Sequence, residues 1–489
     1  MEHGSSEATA SQRPIPEKPV SLELSDLFIV TTRRALRIFV LVAAGPILLC
    51  YKCQSGVEVN QLRVGLAYGD RIIELKIPEK NFAGKIEPRK VEAKSDAEAE
   101  LERALANPHG PHLEEIVRSK SVCVLIEDHT RDEPHWALVN AIAPLLVHAN
   151  AVQFIITTGS HEVNHPGNLD IVEMIRQAAI DADLRKFAVS IHDCQSPDMQ
   201  DLGETSRGTP LVVNAKAVGH DVYVVAADMK AHYFAGYSNA LKNFLPGVCG
   251  FASIEANHSM ALDPNSTFGQ HPYHPDPARR SNPLADDMRE AAEVITADAQ
   301  VFTLSIVTSG AKVIWADAGK LEPVIAGGIE LLDKIASFNV KPASRIIVSP
   351  GGYPQDKSLY HAQRGLELTK NAVSDGGEIL FLAECRDGVA PPNATENFYN
   401  KLIVPLDEVI DSISGEYHLY EHKAYKFAEL LKRISAVKMV TSLDKSTVEA
   451  AHLEKVEDPQ AVVDSWIRED PNVRILVLDK GNKLAVYSS

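Results

Sequence analysis

The sequence predicts an α/β protein with parallel-type sheets. From about residue 62 onward, short β-rich runs alternate with helical patterns, an order typical of βαβ units. The chain has 489 residues, of which 45% are hydrophobic and 24% charged, so it is long enough to bury more than one globular core. The expected strands are 122–126, 152–157, 222–226, 302–307, 345–348, 379–383, 437–440 and 474–478. The expected helices are 137–148 and 321–338.

The chain is expected to begin with an extension, residues 1–60. Residues 1–22 are polar and contain Pro and Ser, a composition that predicts disorder. The apolar run 38–51 resembles the core of a signal segment, and the twin arginines Arg33 and Arg34 precede it. This run is too short for a membrane-spanning helix. We expect a cytoplasmic protein, with twin-arginine-like export as the alternative.

A second boundary is expected where a polar break at 335–343 precedes a new strand. It would separate an N-terminal α/β domain, residues 61–338, from a C-terminal α/β domain, residues 339–489. Composition also limits the partners. With 49 basic and 66 acidic side chains, the net charge of −17 argues against a nucleic-acid binder. Neither nucleic acid nor membrane is therefore expected as a partner, and nothing in the sequence indicates an oligomeric state.

Polar side chains collect just beyond the carboxyl ends of the predicted strands, where open parallel sheets bind ligands. Asp128 follows the first strand and can accept hydrogen bonds from sugar hydroxyls, and Arg131 offers a fork for a carboxylate or phosphate. The alternative is a helix-capping Asp and a surface Arg. After the next strand, Thr158 and Gly159 suit an anion, and His161 can move a proton or serve a structural role.

The third cluster brings together His232, Lys242 and His258 among glycines and Pro246. Imidazoles bind several transition metals, but the H-E-x-x-H pattern is absent, so spacing alone does not name a metal. A desolvated Lys242 could be a covalent anchor, the alternative being a solvated surface lysine. No G-x-G-x-x-G after a strand, G-x-x-x-x-G-K-[ST] or G-x-S-x-G pattern occurs, which argues against ordinary NAD enzymes, P-loop NTPases and α/β-hydrolases.

Taken together, these segments resemble the lactate racemase family, which comprises nickel-pincer 2-hydroxyacid racemases and epimerases. The stretches that carry the resemblance are VGLAYGDRIIELKIPEKNFAGKIEP, EDHTR, TTGSH, HYFAGYSNALKNFLPG with the following NH, NPLADDMREAA, GGYPQDKSLYHAQRG and AECRDG. Their order and spacing cover most of residues 62–485. The resemblance implies two α/β domains with an active-site cleft between them. It also implies a nickel-pincer nucleotide, a nicotinate-derived mononucleotide carrying nickel, as cofactor.

The resemblance also implies a role for each residue. Lys242 would anchor the cofactor through a thioamide and His258 would bind nickel, while His161 and His232 would be the acid/base pair. Further residues are assigned to the cofactor (Asp128, Thr158, Gly159) and to the substrate (Arg131, Tyr360, His361, Arg364). The implied reaction inverts C2 of a small 2-hydroxy acid through a 2-keto acid, by proton and hydride transfer. Cofactor biosynthesis proteins are implied as partners.

This chain departs from the family pattern at two places. Asn239-Ala240-Leu241 stands where Gly-Gly-Arg is usual before the anchoring lysine, which removes a cation and adds bulk beside the cofactor. His361 and Arg364 stand where Gln and Lys are usual, which leaves the identity of the 2-hydroxy acid open. Two alternatives remain: an enzyme on the same scaffold with another metal or hydride carrier, and a noncatalytic relative that binds nickel or a ligand.

Overall fold

The computed structural model describes residues 27–32, 35–40, 60–91, 96–131, 133–310 and 312–489. The chain divides into two compact units, residues 1–60 and residues 61–489. In the first unit, strands β1 (Leu27–Thr32) and β2 (Ala35–Val40) pair in antiparallel orientation. The polar tail and most of the signal-like run lie outside the described residues. Within the described ranges, no helix has the length and apolar character needed to cross a membrane.

The second unit alternates strands and helices. Its strands are β3 (Gln61–Tyr68), β4 (Arg71–Pro78), β5 (Phe82–Ile86), β6 (Ser121–Glu127), β7 (Ala151–Thr157), β8 (Phe187–Ile191), β9 (Met199–Glu204), β10 (Pro210–Asn214), β11 (Val222–Asp228), β12 (Lys230–His232), β13 (Gly236–Ser238), β14 (Gln300–Ser309), β15 (Lys312–Gly319), β16 (Ser337–Val340), β17 (Ala343–Val348), β18 (Val373–Leu382), β19 (Ala436–Val440), β20 (Glu454–Lys455), β21 (Ile475–Leu478) and β22 (Ala485–Ser488).

Its α-helices are α1 (Ala97–Ala106), α2 (Leu113–Ile116), α3 (His135–Ile142), α4 (Pro166–Asp181), α5 (Leu241–Phe244), α6 (Phe251–Ser259), α7 (Pro283–Ile295), α8 (Leu321–Ala336), α9 (Leu359–Thr369), α10 (Pro392–Thr395), α11 (Leu406–Gly415), α12 (Glu421–Arg433), α13 (Lys445–Ala450) and α14 (Pro459–Glu469). Short 3-10 turns occur at Glu79–Asn81, Ala143–Leu146, Ala215–Ala217, Met260–Leu262, Pro277–Arg279, Lys370–Ala372 and Gly481–Lys483, and a π-helical turn at Glu396–Asn400.

The first domain is built on a six-stranded sheet with the order β15-β14-β11-β6-β7-β8. All neighbours are parallel except the edge pair β14 and β15. The central strand β11 is buried along its whole length, as expected for a strand covered on both faces. One face packs against α5, α6, α7 and α8, and the other against α1, α3 and α4. The predicted α/β class is confirmed.

The second domain has a parallel six-stranded sheet with the order β20-β19-β18-β17-β21-β5. One face is covered by α9, α11 and α12. The other face packs against α14 and the hairpin β3–β4, with Leu66, Leu75 and Trp466 in this core. Residues 61–86 therefore add one strand to the second sheet and a separate hairpin that packs on one of its faces, although they precede the first sheet in the chain. The proposed boundary near residue 338 stays a prediction.

Two expected helices end earlier than the sequence pattern indicated. The helix expected at 137–148 is α-helical only to Ile142 and continues as a 3-10 turn that contains Pro144, which has no N–H to donate to the preceding turn. The helix expected at 321–338 ends at Ala336. Residues 337–340, expected to be a break in the pattern, form β16, which pairs in parallel with β22.

Candidate active site

The candidate site lies where the first sheet reverses its direction of winding. From β6 the chain runs outward through β7 and β8 and then returns to β11 on the other side of β6, which opens a crevice at the carboxyl ends of β6 and β11. Glu127, at the end of β6, accepts the Asp228 N–H at 2.9 Å and the Arg131 Nε–H at 3.2 Å. This carboxylate therefore joins the two strand ends and positions Arg131 beside them.

Asp128 and His161 form a hydrogen-bonded pair across this crevice. Asp128 Oδ2 lies 2.8 Å from His161 Nδ1, and its Oδ1 accepts the Thr130 hydroxyl at 2.6 Å. Burial raises the pKa of Asp128, but the charge and hydrogen bond of His161 outweigh burial and hold this pKa well below its usual value. The ionised Asp128 accepts the Nδ1–H, so in neutral His161 the lone pair is on Nε2. The His161 side chain is 41% exposed and is open to a ligand.

The buried Asn168 ties together the two loops that carry this pair. Its Oδ1 accepts the His129 backbone N–H at 3.1 Å and lies 3.0 Å from His129 Nδ1. Its Nδ2 donates to the Glu162 carbonyl at 3.0 Å. Because His129 and Glu162 are the immediate neighbours of Asp128 and His161 in the chain, this one amide fixes the separation of the pair.

Thr158 and Gly159 use their donors within the protein. The Thr158 hydroxyl donates to the His192 carbonyl at 2.6 Å, and the Gly159 N–H donates to the Gly247 carbonyl at 3.2 Å. Gly159 has φ +55°, and a Cβ there would approach Pro246 to 3.3 Å. These contacts pack the loop against the turn that follows Lys242. They give no support to the predicted role of either residue in binding the cofactor.

Lys242 and His232 meet through their side-chain nitrogens, with Lys242 Nζ 3.1 Å from His232 Nε2. Burial, with the charges of Arg131 and Arg364, lowers the pKa of Lys242 well below its usual range. Burial and the nearby Lys242 lower the pKa of His232 in the same way. His232 Nδ1 accepts the Ala235 N–H at 3.2 Å, so the neutral ring carries its hydrogen on Nε2, the nitrogen that faces the Lys242 amine.

His258 lies in the last turn of α6, in an aromatic environment. Its ring centroid is 5.4 Å from that of Phe234 and 5.8 Å from that of His422. Burial and Lys242 lower the pKa of His258 to about 3, which leaves a neutral imidazole, the form that binds metals. Its buried Nδ1 has no well-formed hydrogen bond to any described residue. The preceding Asn257 donates to the buried Asp287 at 2.8 Å and so fixes this end of the helix.

The second domain contributes the predicted substrate residues. His361 Nδ1 lies 2.7 Å from the Ser358 hydroxyl, and Arg364 donates to the Ala231 carbonyl, one residue before His232. Burial, together with Lys357 and Lys423, lowers the pKa of His361 to about 3. The side chain of Tyr360 packs edge-on against His361 at 5.4 Å between ring centroids. The structure thus brings this trio against the His232 side of the first domain.

Sequence reasoning missed His422 and Lys423 on α12. His422 Nε2 lies 3.1 Å from the Tyr233 hydroxyl and its Nδ1 lies 2.7 Å from the Tyr417 hydroxyl. Lys423 Nζ donates to the Tyr360 carbonyl at 2.8 Å. Both residues are buried, which is unusual for lysine. The sequence EHKAYKFAELL is also typical of an ordinary amphipathic helix, so no local signal distinguished these residues from a solvated face.

The departure at 239–241 has a structural explanation. Asn239 Oδ1 accepts the Leu241 N–H at 2.9 Å and so shapes the turn before Lys242. Leu241 is fully buried in the apolar core of the first domain, so its bulk is accommodated by that core. The described residues contain no group of three or more His, Cys, Asp or Glu that could hold a metal ion.

One wall of the site leads to a prediction about pH. His192 is fully buried, with Nε2 2.9 Å from the Cys249 carbonyl, and burial lowers its pKa to about 4. Between pH 6.5 and 4 the unfolded chain binds more protons at this position, so stability falls as the pH falls through this window. We expect the unfolding free energy of a His192→Gln variant, measured in urea, to depend less steeply on pH than that of the wild type, by up to about 1.4 kcal/mol per pH unit. Equal slopes would contradict the assignment of a buried neutral His192.

Comparisons with known proteins match both domains. Residues 68–269 match the model of the lactate racemase N-terminal domain, and residues 338–484 match that of the lactate racemase C-terminal domain. The lactate racemase of Thermoanaerobacterium thermosaccharolyticum is 31% identical over 349 residues, which are 69% of this chain and 76% of the relative. The chain belongs to the lactate racemase family. The lactate racemase of Lactiplantibacillus plantarum is 24% identical over 438 residues, 86% of this chain and 98% of the relative.

Solved structures agree with this membership of the lactate racemase family. The structure of the lactate racemase apoprotein from Thermoanaerobacterium thermosaccharolyticum has a TM-score of 0.75 and 26% identity, and the match covers 87% of this chain and all of that one. A protein from Thermotoga maritima shares the fold, with a TM-score of 0.57 and 15% identity over 82% of this chain and all of that one. The predicted family and the two-domain α/β fold are confirmed, and the protein is an isomerase of the racemase class.

Proposed function

We propose that this racemase inverts the C2 centre of a 2-hydroxy acid such as lactate, using a nickel-pincer nucleotide joined covalently to Lys242. The observation that carries the proposal is the 3.1 Å contact between the partly buried Lys242 amine and His232. A structural lysine would be expected to carry its charge to solvent or to a carboxylate, whereas this amine lies beside an imidazole and its pKa is well below the usual range. An uncharged amine is nucleophilic, as a covalent anchor must be.

The residues present fit the proposed cofactor. Lys242 offers a free amine, and His258 offers a neutral imidazole whose Nδ1 lacks a well-formed hydrogen bond among the described residues. The absence of a complete protein metal site in the described chain fits a nickel ion whose other ligands belong to the nucleotide. When bound, such a group supplies reversible uptake of the C2 hydrogen as hydride.

His161 and His232 would handle the hydroxyl proton. In the hydrogen-bond arrangement described above, His161 presents the Nε2 lone pair and His232 presents an Nε2–H, so the pair begins with one acceptor and one donor. Asp128 stabilises the positive charge that His161 gains when it takes a proton. When the reaction runs in reverse, His232 takes the hydroxyl proton at Nε2 and His161 returns the proton that it holds, so the contact between His232 Nδ1 and the Ala235 N–H is kept.

Cations around the cleft would hold the carboxylate of the 2-hydroxy acid and that of the flat 2-keto acid. Arg131 projects from the first domain and Arg364 from the second, and each acts on the pKa of His232. Two guanidinium forks on one carboxylate would restrict its rotation and so favour a single geometry for the reaction. We further propose that partner proteins make the cofactor and that the reaction takes place in the cytoplasm.

The proposal is tested by intact and peptide mass spectrometry, with elemental analysis of nickel, on protein made together with a pincer-cofactor biosynthetic system. We expect a nucleotide adduct on the peptide that contains Lys242 and close to one nickel per chain. A bare Lys242, in a preparation where a known lactate racemase is loaded, would overturn the proposed cofactor. The same-scaffold enzyme with another hydride carrier would then be favoured, provided that turnover occurs without nickel.

A further inference from the structure

Two cations of the second domain, Arg364 and Lys423, form no ion pair with any carboxylate in the described ranges. Lys423 is 5% exposed, and the charge of Glu367 raises its pKa without an ion pair between the two. The Nε of Arg364 is buried and has no hydrogen-bond partner among the described residues. Arg131, in contrast, is offset by Glu127 at 3.2 Å. Leaving a buried charge uncompensated is costly, so such groups are expected to meet an anion.

These two cations share one part of the cleft with His361. Lys423 Nζ donates to the Tyr360 carbonyl and lies 4.2 Å from the centroid of the Tyr360 ring. Arg364 lowers the pKa of Lys423, second only to burial, which brings this pKa to about 7. Lys423 and Arg364 in turn contribute to the lowered pKa of His361. The repulsion between Arg364 and protonated Lys423 would be relieved by one anion placed beside them.

We propose that the substrate is a 2-hydroxy acid with a second anionic group, and that Lys423 is a specificity-determining residue that binds this group beside His361. The inference rests on the proposed function, in which Arg131 and Arg364 already hold the carboxylate next to C2. A substrate with a single carboxylate leaves Lys423 without an ion pair. A hydroxy dicarboxylate supplies one, and its binding favours the protonated form of Lys423.

The phosphate of a nucleotide could supply the same anionic chemistry. Placement favours the substrate, because Lys423 is bound to Tyr360 and lies near His361, whereas the proposed anchor Lys242 belongs to the first domain. The two sources are separable, since a phosphate-binding Lys423 would be needed for cofactor attachment and a substrate-binding one would not.

Binding is measured first by calorimetry on cofactor-free protein, with a four-carbon 2-hydroxy dicarboxylate and with lactate as probes. We expect the wild type to bind the dicarboxylate at least about tenfold more tightly. In Lys423→Met this preference is lost, and in Lys423→Arg it is retained. Lys426→Met is the matched control, because Lys426 is a second buried lysine on the same helix without an ion pair among the described residues, and it keeps the preference. Thermal unfolding checks that each variant is folded.

Cofactor attachment is then measured by mass spectrometry, and racemisation of both acids is measured on the loaded enzymes. The loaded wild type is expected to show a higher kcat/KM for the dicarboxylate than for lactate. In Lys423→Met, the ratio of kcat/KM for the dicarboxylate to kcat/KM for lactate is expected to be lower than in the wild type. Equal binding of the two acids, a preference that survives in Lys423→Met, or loss of attachment in Lys423→Met would overturn the proposal. Selective binding without racemisation of either acid would refute the proposed function alone, and racemisation of lactate without a dicarboxylate preference would refute this inference alone.

Discussion

A Lys242→Ala variant is expected to carry no covalent nucleotide and to have no racemase activity. The structure provides one reason, since Lys242 is a partly buried amine that lies 3.1 Å from His232 and whose pKa is lowered by burial and by two arginines. Alanine removes the nucleophile and adds no bulk, so the chain should still fold. The measurement is the intact mass of the variant made together with the cofactor biosynthetic system, beside the wild type.

Lys216→Ala provides the control for this experiment. Lys216 is an exposed lysine of the same domain, and its replacement should leave both the adduct and the activity unchanged. An adduct that persists in Lys242→Ala, or that disappears in Lys216→Ala, would show that attachment does not depend specifically on the Lys242 amine.

A His161→Ala variant is expected to keep the nucleotide adduct but to lose turnover by about 10²- to 10⁴-fold, the usual contribution of a positioned acid or base. His161 is held at 2.8 Å by Asp128 and is partly exposed, so it can reach a bound substrate without supporting the core. The loss should fall mainly on kcat, because the arginines that hold the carboxylate remain. Steady-state racemisation kinetics, with mass spectrometry of the same sample, measure both effects.

The chain offers a matched control for His161. His109 lies 2.8 Å from Asp317 and its side chain is 46% exposed, so it forms a partly exposed His–Asp pair like that of His161 and Asp128. This second pair lies beside Lys320, outside the proposed cleft. His109→Ala should retain wild-type turnover. Activity of His161→Ala close to that of the wild type would remove His161 from the proton-transfer pair, and an equal loss in both variants would point to a general effect on the protein.

Much of the fold could be predicted because the parallel sheets are buried. Strands such as β6, β11 and β21 contain continuous apolar runs bounded by polar residues, and their positions agree with the expected ones. The same logic placed Asp128 and His161 at neighbouring strand ends, and the structure brings them to 2.8 Å. Local sequence is sufficient in these cases because the carboxyl ends of parallel strands lie at the same edge of the sheet, whatever the order of the strands.

The remainder depends on contacts between distant parts of the chain. Strand β5 joins the second sheet beside β21, almost 400 residues later in the sequence, and no local pattern specifies such a partner. Thr158 looked available to a ligand until the structure paired its hydroxyl with the His192 carbonyl. Lys423 looked like a solvated helical lysine, and only the packing of α12 against Tyr360 buries it.

We propose that the protein inverts a 2-hydroxy acid by moving the C2 hydrogen away and back without exchange with water. To test this, the loaded enzyme is incubated with each enantiomer of lactate and of a 2-hydroxy dicarboxylate in D₂O, while chirality is followed by chromatography and C2 deuteration by NMR. We expect the enantiomers of at least one acid to converge to an equal mixture while C2 keeps its original hydrogen. Deuterium at C2 of the inverted product, or no inversion of any acid by an enzyme that carries the adduct and nickel, would contradict it.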